Sequence, residues 1–247
     1  MVITSRILQD HLGVNSLVAD YFANQRPVPS DNLFWKDKRI YLSVGFGFLT
    51  IPFAYDLMHK KGISTDILLN DAHVSLMEAG FDRLKKFENQ LISYAEFIQS
   101  CRHLLDGKIQ QHHLAQDLFA LFSGAAPSYF HFETQHKALA RSDFFLFTLV
   151  DLDLTDQWVE DFLPFWYAVA RPILLLDDFK DLDEDRKSGE ENTIIELGDG
   201  KYAIEQAYAM GKADLGKLAE LNAPLATFIG GLLDDSLKYE SVRAMLH

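Results

Sequence analysis

Asp177, Asp178, Asp181 and Asp185 follow an apolar run, Leu174-Leu175-Leu176, and three of them recur every four residues. On a helix of 3.6 residues per turn, Asp177, Asp181 and Asp185 stand one above another, with Asp178 beside them. Like charges at that spacing repel by about 0.2–0.5 kcal/mol per pair even when solvated, so a counterion is expected. A hard divalent cation suits the position, because Mg²⁺ is held through one or two carboxylates while phosphate oxygens and water complete its octahedron.

Competing metal chemistry fits less well. Asp181, Asp183 and Asp185 give the DxDxD start of a calcium loop, but Arg186 occupies the sixth position, where the turn requires glycine. His112-His113 with Asp117, and His131 with Glu133 and His136, have ligand-like spacing and match no zinc signature. No nucleophile elbow, P-loop or dinucleotide fingerprint is present.

The elements that must position the carboxylates read as helices. Ile7, Leu8, Leu12, Val14, Leu17, Val18 and Tyr21 make an amphipathic pattern over Thr4 to Asn24. Further helices are expected at about 40–60, 65–100, 111–123, 129–150, 155–187, 201–220 and 224–245. Arg39 to Leu49 is the best strand candidate, but its apolar residues do not alternate cleanly. Pro164 and Pro172 predict a kink or break in the helix that leads into the ladder. With no linker to divide it, the whole of 1–247 reads as a single all-α helical bundle.

Charge and composition narrow the partners. A net charge of −13 argues against nucleic acid, which needs a basic surface to release counterions. Between Asp177 and Asp199 stand ten acidic and three basic residues, so more than half of the imbalance is local. Cys101 is the only cysteine, which fits a cytoplasmic protein without internal disulfides. Residues 1–10 are expected to carry no export signal, and the uncharged stretch Leu42 to Tyr55 is too short and too broken by glycine and proline to span a membrane.

Asp177-Asp178-Phe179-Lys180-Asp181 resembles the second aspartate-rich motif, DDxxD, of class I isoprenoid synthases, which include polyprenyl diphosphate synthases, squalene and phytoene synthases and terpene cyclases. The spacing of Asp177, Asp181 and Asp185 is similar to the second metal motif of the terpene cyclases. Glu196-Leu197-Gly198-Asp199-Gly200-Lys201 resembles the DLxxGK segment of the polyprenyl enzymes. The family's Gly-Lys pair before that segment is replaced by Gly189-Glu190-Glu191. A first carboxylate motif is implied on another helix, and Ile51 to His59, about 120 residues upstream of Asp177, resembles an eroded DDxxD in which Asp56 survives and His59 takes the last place. Imidazole prefers softer ions than Mg²⁺. Three alternatives stay open: fewer ions on that helix, a different ion, or a first motif at Asp66 or Asn70-Asp71.

The resemblance implies a helical bundle of the isoprenoid (terpenoid) synthase type. It implies Mg²⁺ held by Asp177, Asp178, Asp181, Asp185, Asp56 and His59, with Asp177, Asp181 and Asp56 as the catalytic carboxylates. Lys201, Arg141, Arg186 and Lys238 are the implied contacts of a substrate diphosphate, and a homodimer is left open. The implied activity is metal-dependent ionisation of a prenyl diphosphate, followed by chain elongation, coupling or cyclisation, a transferase or lyase of isoprenoid biosynthesis. Phe46, Phe48, Phe53, Tyr55, Phe144, Phe145 and Phe147 are candidates to line a dry cavity for the carbocation. The alternative is a catalytically impaired protein of that fold acting as a binding or partner subunit, since folds host sites without guaranteeing them. A helical interaction protein unrelated to isoprenoids is a third reading.

Overall fold

Local punctuation decides where the helices end. The first amphipathic segment divides because Gly13 adopts a left-handed φ of +63°, which closes α1 (Ser5–Asp10) before Asn15 caps α2 (Ser16–Asp20) by accepting from the Leu17 and Val18 amides. A single π-helical stretch, Tyr21–Gln25, continues α2. The computed structural model describes residues 3–43, 45–134 and 136–246. Met1 and Val2 of the N-terminal segment, Val44 of the 39–49 strand candidate and Gln135 of the helix expected over 129–150 lie outside them.

Helix α3 (Phe46–Lys60) comes next, followed by the single turn α4 (Thr65–Leu68). The continuous helix expected over 65–100 is instead three pieces. Asn70 caps α5 (Asp71–Glu88) through the Ala72 amide, Gln90 turns the chain at φ +57°, and Ser93 with Glu96 forms a reciprocal capping box at the start of α6 (Tyr94–Leu105). Helix α7 (His112–Phe122) matches its expected span. Residues 129–134, expected to be helical, are not; helix begins at α8 (Lys137–Ala140) and tightens into a 3₁₀ stretch, Arg141–Leu149.

Helix α9 (Asp156–Ser188) carries the aspartates and runs unbroken through Pro164 and Pro172. Of the kink or break expected at these prolines, the break is absent. Phe162, Trp166, Val169, Leu175 and Phe179 along this helix are wholly or almost wholly buried, and packing on that scale outweighs one lost backbone bond per proline. A short α10 (Thr193–Glu196) precedes α11 (Lys201–Ser236) and α12 (Glu240–Leu246). The proline that does interrupt a helix is Pro224. Asn222, two residues before it, leaves helical geometry (φ −148°, ψ 79°), accepts from the Leu225 amide as an internal cap, and donates to the Leu12 carbonyl at 3.0 Å.

The described residues are all-helical, with no strand among them, and no helix among them is long and apolar enough to cross a membrane. The chain divides into two compact units. One gathers 15–132 and 143–162; the other gathers 6–14, 133–142 and the chain from Leu163 onward. The first unit is held by an aromatic core in which Phe22, Trp35, Phe53 and Tyr55 are buried and Phe22 meets Tyr55 edge to face at 4.9 Å. Its rim carries a buried bidentate pair, Arg26 with Glu78, both bonds 2.8 Å. In the second unit Arg171 of α9 grips Asp214 of α11 and reaches Glu133 at 3.1 Å.

Candidate functional site

The four aspartates of the ladder divide between two roles. Asp178 is 1% exposed. Its carboxylate accepts from the Thr193 amide at 3.0 Å and from the Arg141 guanidinium at 3.2 Å. Asn192 donates to the Asp178 carbonyl at 2.7 Å and to the Asp185 carboxylate at 2.8 Å, while its own oxygen caps α10 at Ile194. Asp178 and Asp185 thus fasten residues 192–194 onto α9, which satisfies polar groups that burial would otherwise orphan. Both were expected among the metal ligands, and hydrogen bonds within the protein engage them here.

Asp177 and Asp181 remain on the open side. Asp177 is half exposed and Asp181 one-third exposed. Arg141 stands 3.6 Å from Asp177 as well as beside Asp178, and Lys180 reaches Asp181 at 2.8 Å. Asp181 opens on a shallow surface depression with Lys180, Asp183, Glu184 and Lys187. The face therefore presents two carboxylates with a guanidinium at their edge. That is the charge pattern a diphosphate and a divalent cation together require, since arginine takes phosphate oxygens and carboxylates take the metal.

Burial governs the shift of both adjacent carboxyls. Burial pushes the Asp177 carboxyl above its ordinary range; Arg141 opposes this, and Asp181 and Asp185 add repulsion. Asp178 is also raised, chiefly by burial, against the Thr193 bonds and Arg141.

The other expected cations distribute differently. Arg186 pairs with Asp199 at 2.6 Å and Asp183 at 2.8 Å, so its charge is committed to the loop that carries the DLxxGK-like segment. Lys201 is exposed as the first residue of α11. Lys238 is exposed and bonds to Asp235 at 2.5 Å. Among the described residues no group of three or more His, Cys, Asp or Glu side chains is arranged to hold a metal ion.

Asp56 and His59 lie in the other unit, on α3. Asp56 is fully buried. One of its oxygens accepts from the Asn15 amide at 2.7 Å and the other from Lys60 at 2.6 Å. His59 shares a 3.1 Å bond with the Ile63 carbonyl. The expected residual ligand pair is therefore engaged in fixing α3 to the residues around it. Of the alternative first motifs, Asp66 is exposed in the first turn of α4, and Asp71 is bonded to Arg26.

The histidine groups with ligand-like spacing come apart. Asp117 accepts three backbone amides, from Ser128, Tyr129 and Phe130, each at 2.7 Å. His113 stacks on Tyr129 and bonds to Asp156. Glu133 pairs with Arg171, and His136 with Glu196.

Sequence reasoning missed one polar pair. His73, 5% exposed, bonds through Nδ1 to the Asp151 carboxylate at 2.9 and 3.0 Å, and its Nε2 is buried with no hydrogen-bond partner among the described residues. An orphaned buried polar atom costs about 1–3 kcal/mol. Both residues line an apolar cavity in the first unit, together with Phe144, Phe145 and Phe147, the aromatic cluster expected to line one. Phe53 and Tyr55 are core residues instead, and Phe48 packs against Phe34 at 4.7 Å. The signal for His73 was in the sequence: on a helix it shares a face with Met77, Gly80 and Phe81, a histidine on an apolar stripe. No protein-family model, curated protein or solved structure matches the chain.

Proposed function

We propose that the Asp177–Asp181 face of α9 is a metal–diphosphate site, and that the protein ionises a prenyl diphosphate within a fold of the isoprenoid synthase type. The observation that carries the reading is the placement of Arg141 beside Asp177 on the open side of the helix, with Asp178 and Asp185 withdrawn into structural bonds. Bound there with a diphosphate, Mg²⁺ supplies neutralisation of the leaving group. Asp177 and Asp181 are the two carboxylates that hold it, within the one or two that Mg²⁺ takes from protein. Arg141 binds the diphosphate oxygens and orients the scissile C–O bond. Asp178 fixes the guanidinium for that task.

A second reading is a protein of the same fold that binds the diphosphate without turning it over. The state of Asp56 favours it, because a carboxylate whose oxygens are taken by Asn15 and Lys60 has little left for a metal. Incubation with geranyl, farnesyl and geranylgeranyl diphosphates and Mg²⁺, with and without isopentenyl diphosphate, separates the two. Released diphosphate that disappears in Asp177→Ala and Asp181→Ala supports the enzyme; calorimetric binding without release supports the binding subunit.

A further inference from the structure

The residues around Arg141 form a closed circuit of bonds within the second unit. Asp178 supplies both ends of it: one carboxylate oxygen meets the Arg141 guanidinium at 3.2 Å, and the other accepts from the Thr193 amide at 3.0 Å. Thr193 opens α10 and Glu196 closes it. The Glu196 carboxylate then reaches α8, where one oxygen accepts from the Lys137 amide at 3.0 Å and the other from the Ala138 amide at 3.1 Å. Directly after α8 the chain arrives at Arg141, and the circuit returns to Asp178.

The need for Glu196 follows from how α8 begins. The first amides of a helix have no partner within it, and the side chain just before the helix usually accepts from one of them. In α8 that residue is His136, whose side chain makes no cap bond. Four residues of α-helix also form too few internal bonds to hold their own position. Glu196 acts as the cap from another element, satisfying both amides and setting a negative charge at the positive end of the turn. His136 Nδ1 stands 3.4 Å from the same carboxylate. Because Arg141 begins the 3₁₀ stretch that continues α8, the direction of α8 decides where its guanidinium lies. At 44% exposure that side chain is not fixed by burial.

We propose that Glu196 is a positioning residue for the diphosphate site: by capping α8 it sets the Arg141 guanidinium on the open side of Asp177, without itself meeting the ligand. The inference rests on the reading of the Asp177 face as a diphosphate site. The segment from Glu196 to Lys201 thereby has a part in that site through its first residue.

Inorganic diphosphate is titrated calorimetrically, in Mg²⁺, into the parent, Glu196→Ala, Arg141→Ala and the double variant. Glu196→Ala is expected to weaken binding about fivefold, less than the full loss of the Arg141 contact, and to cause no further loss once Arg141 is alanine. Glu196→Gln keeps the shape and one acceptor, so a smaller loss in the same direction is expected from a variant that disturbs folding less. In the free protein the Arg141 Nε resonance, assigned by its absence from Arg141→Ala in ¹⁵N-edited NMR, is expected to move towards the position of exposed arginines in Glu196→Ala. Equal affinity of Glu196→Ala and the parent, a loss of the same size with and without Arg141, or an Arg141 resonance that Glu196→Ala leaves in place overturns the inference while the diphosphate reading stands. A parent that binds no diphosphate in Mg²⁺ overturns that reading, and the role of Glu196 falls with it.

Discussion

Replacing Asp178 by Ala separates the structural aspartates of the ladder from those left free for a ligand. The substitution strips the buried Thr193 amide of its acceptor; an unsatisfied buried amide costs about 1–3 kcal/mol. Loss of the Arg141 bond adds little, because that guanidinium is partly exposed and still faces Asp177. We expect about 2 kcal/mol of destabilisation. Asp178→Asn keeps an oxygen for Thr193 and sheds a charge that burial already disfavours, so about 1 kcal/mol or less is expected. Asp181→Ala removes a partly exposed pair with Lys180 and belongs within about 0.5 kcal/mol of the parent. Urea unfolding followed by tryptophan fluorescence reads all three as midpoint shifts at constant slope. The division of labour is refuted if Asp178→Ala unfolds with the parent, or if Asp181→Ala costs as much.

Three further outcomes follow from the same contacts. Gly13→Ala forces a side chain onto φ +63° and places its Cβ 2.6 Å from the Asn222 Oδ1; a loss of about 2 kcal/mol is expected in urea unfolding. Asp177 holds its proton to higher pH in the folded protein than in the unfolded chain, so its contribution to stability is greatest at low pH and declines as pH rises above the unfolded value of about 4. The stability difference between the parent and Asp177→Asn should therefore fall across that window, and a flat or rising difference contradicts it. Arg141→Ala should lower affinity for inorganic diphosphate in Mg²⁺ about tenfold by calorimetry, the size of one charge-assisted contact.

Helical class was legible because apolar periodicity is a local property, as at Ile7 to Tyr21 and along α9. Boundaries were legible where a cap or a left-handed residue stood alone, and misread where several accumulated: Asn70, Gln90 and Ser93 broke what periodicity alone joined. Pro164 and Pro172 do not break α9, because the cost of a proline is local, while the burial of Phe162, Trp166 and Phe179 that outweighs it is tertiary. The same distinction governs the site. Helical spacing placed Asp177 and Asp181 on α9, and Arg141 was a candidate cation from its position alone. That Asp178 and Asp185 would be taken by Asn192 and Thr193 depends on a loop folding back onto the helix. Asp56 was legible as an isolated acid, but its engagement by the Asn15 amide spans forty-one residues. His73 and Asp151, seventy-eight residues apart, become a pair only in three dimensions.

The most direct test of the diphosphate reading is calorimetric titration of inorganic diphosphate into the protein with Mg²⁺ and with EDTA, repeated on Asp181→Ala. Binding that requires Mg²⁺ and is lost in the variant is the predicted result, whether or not the protein turns substrate over. Binding that persists in EDTA, survives the substitution, or is absent with Mg²⁺ would contradict it.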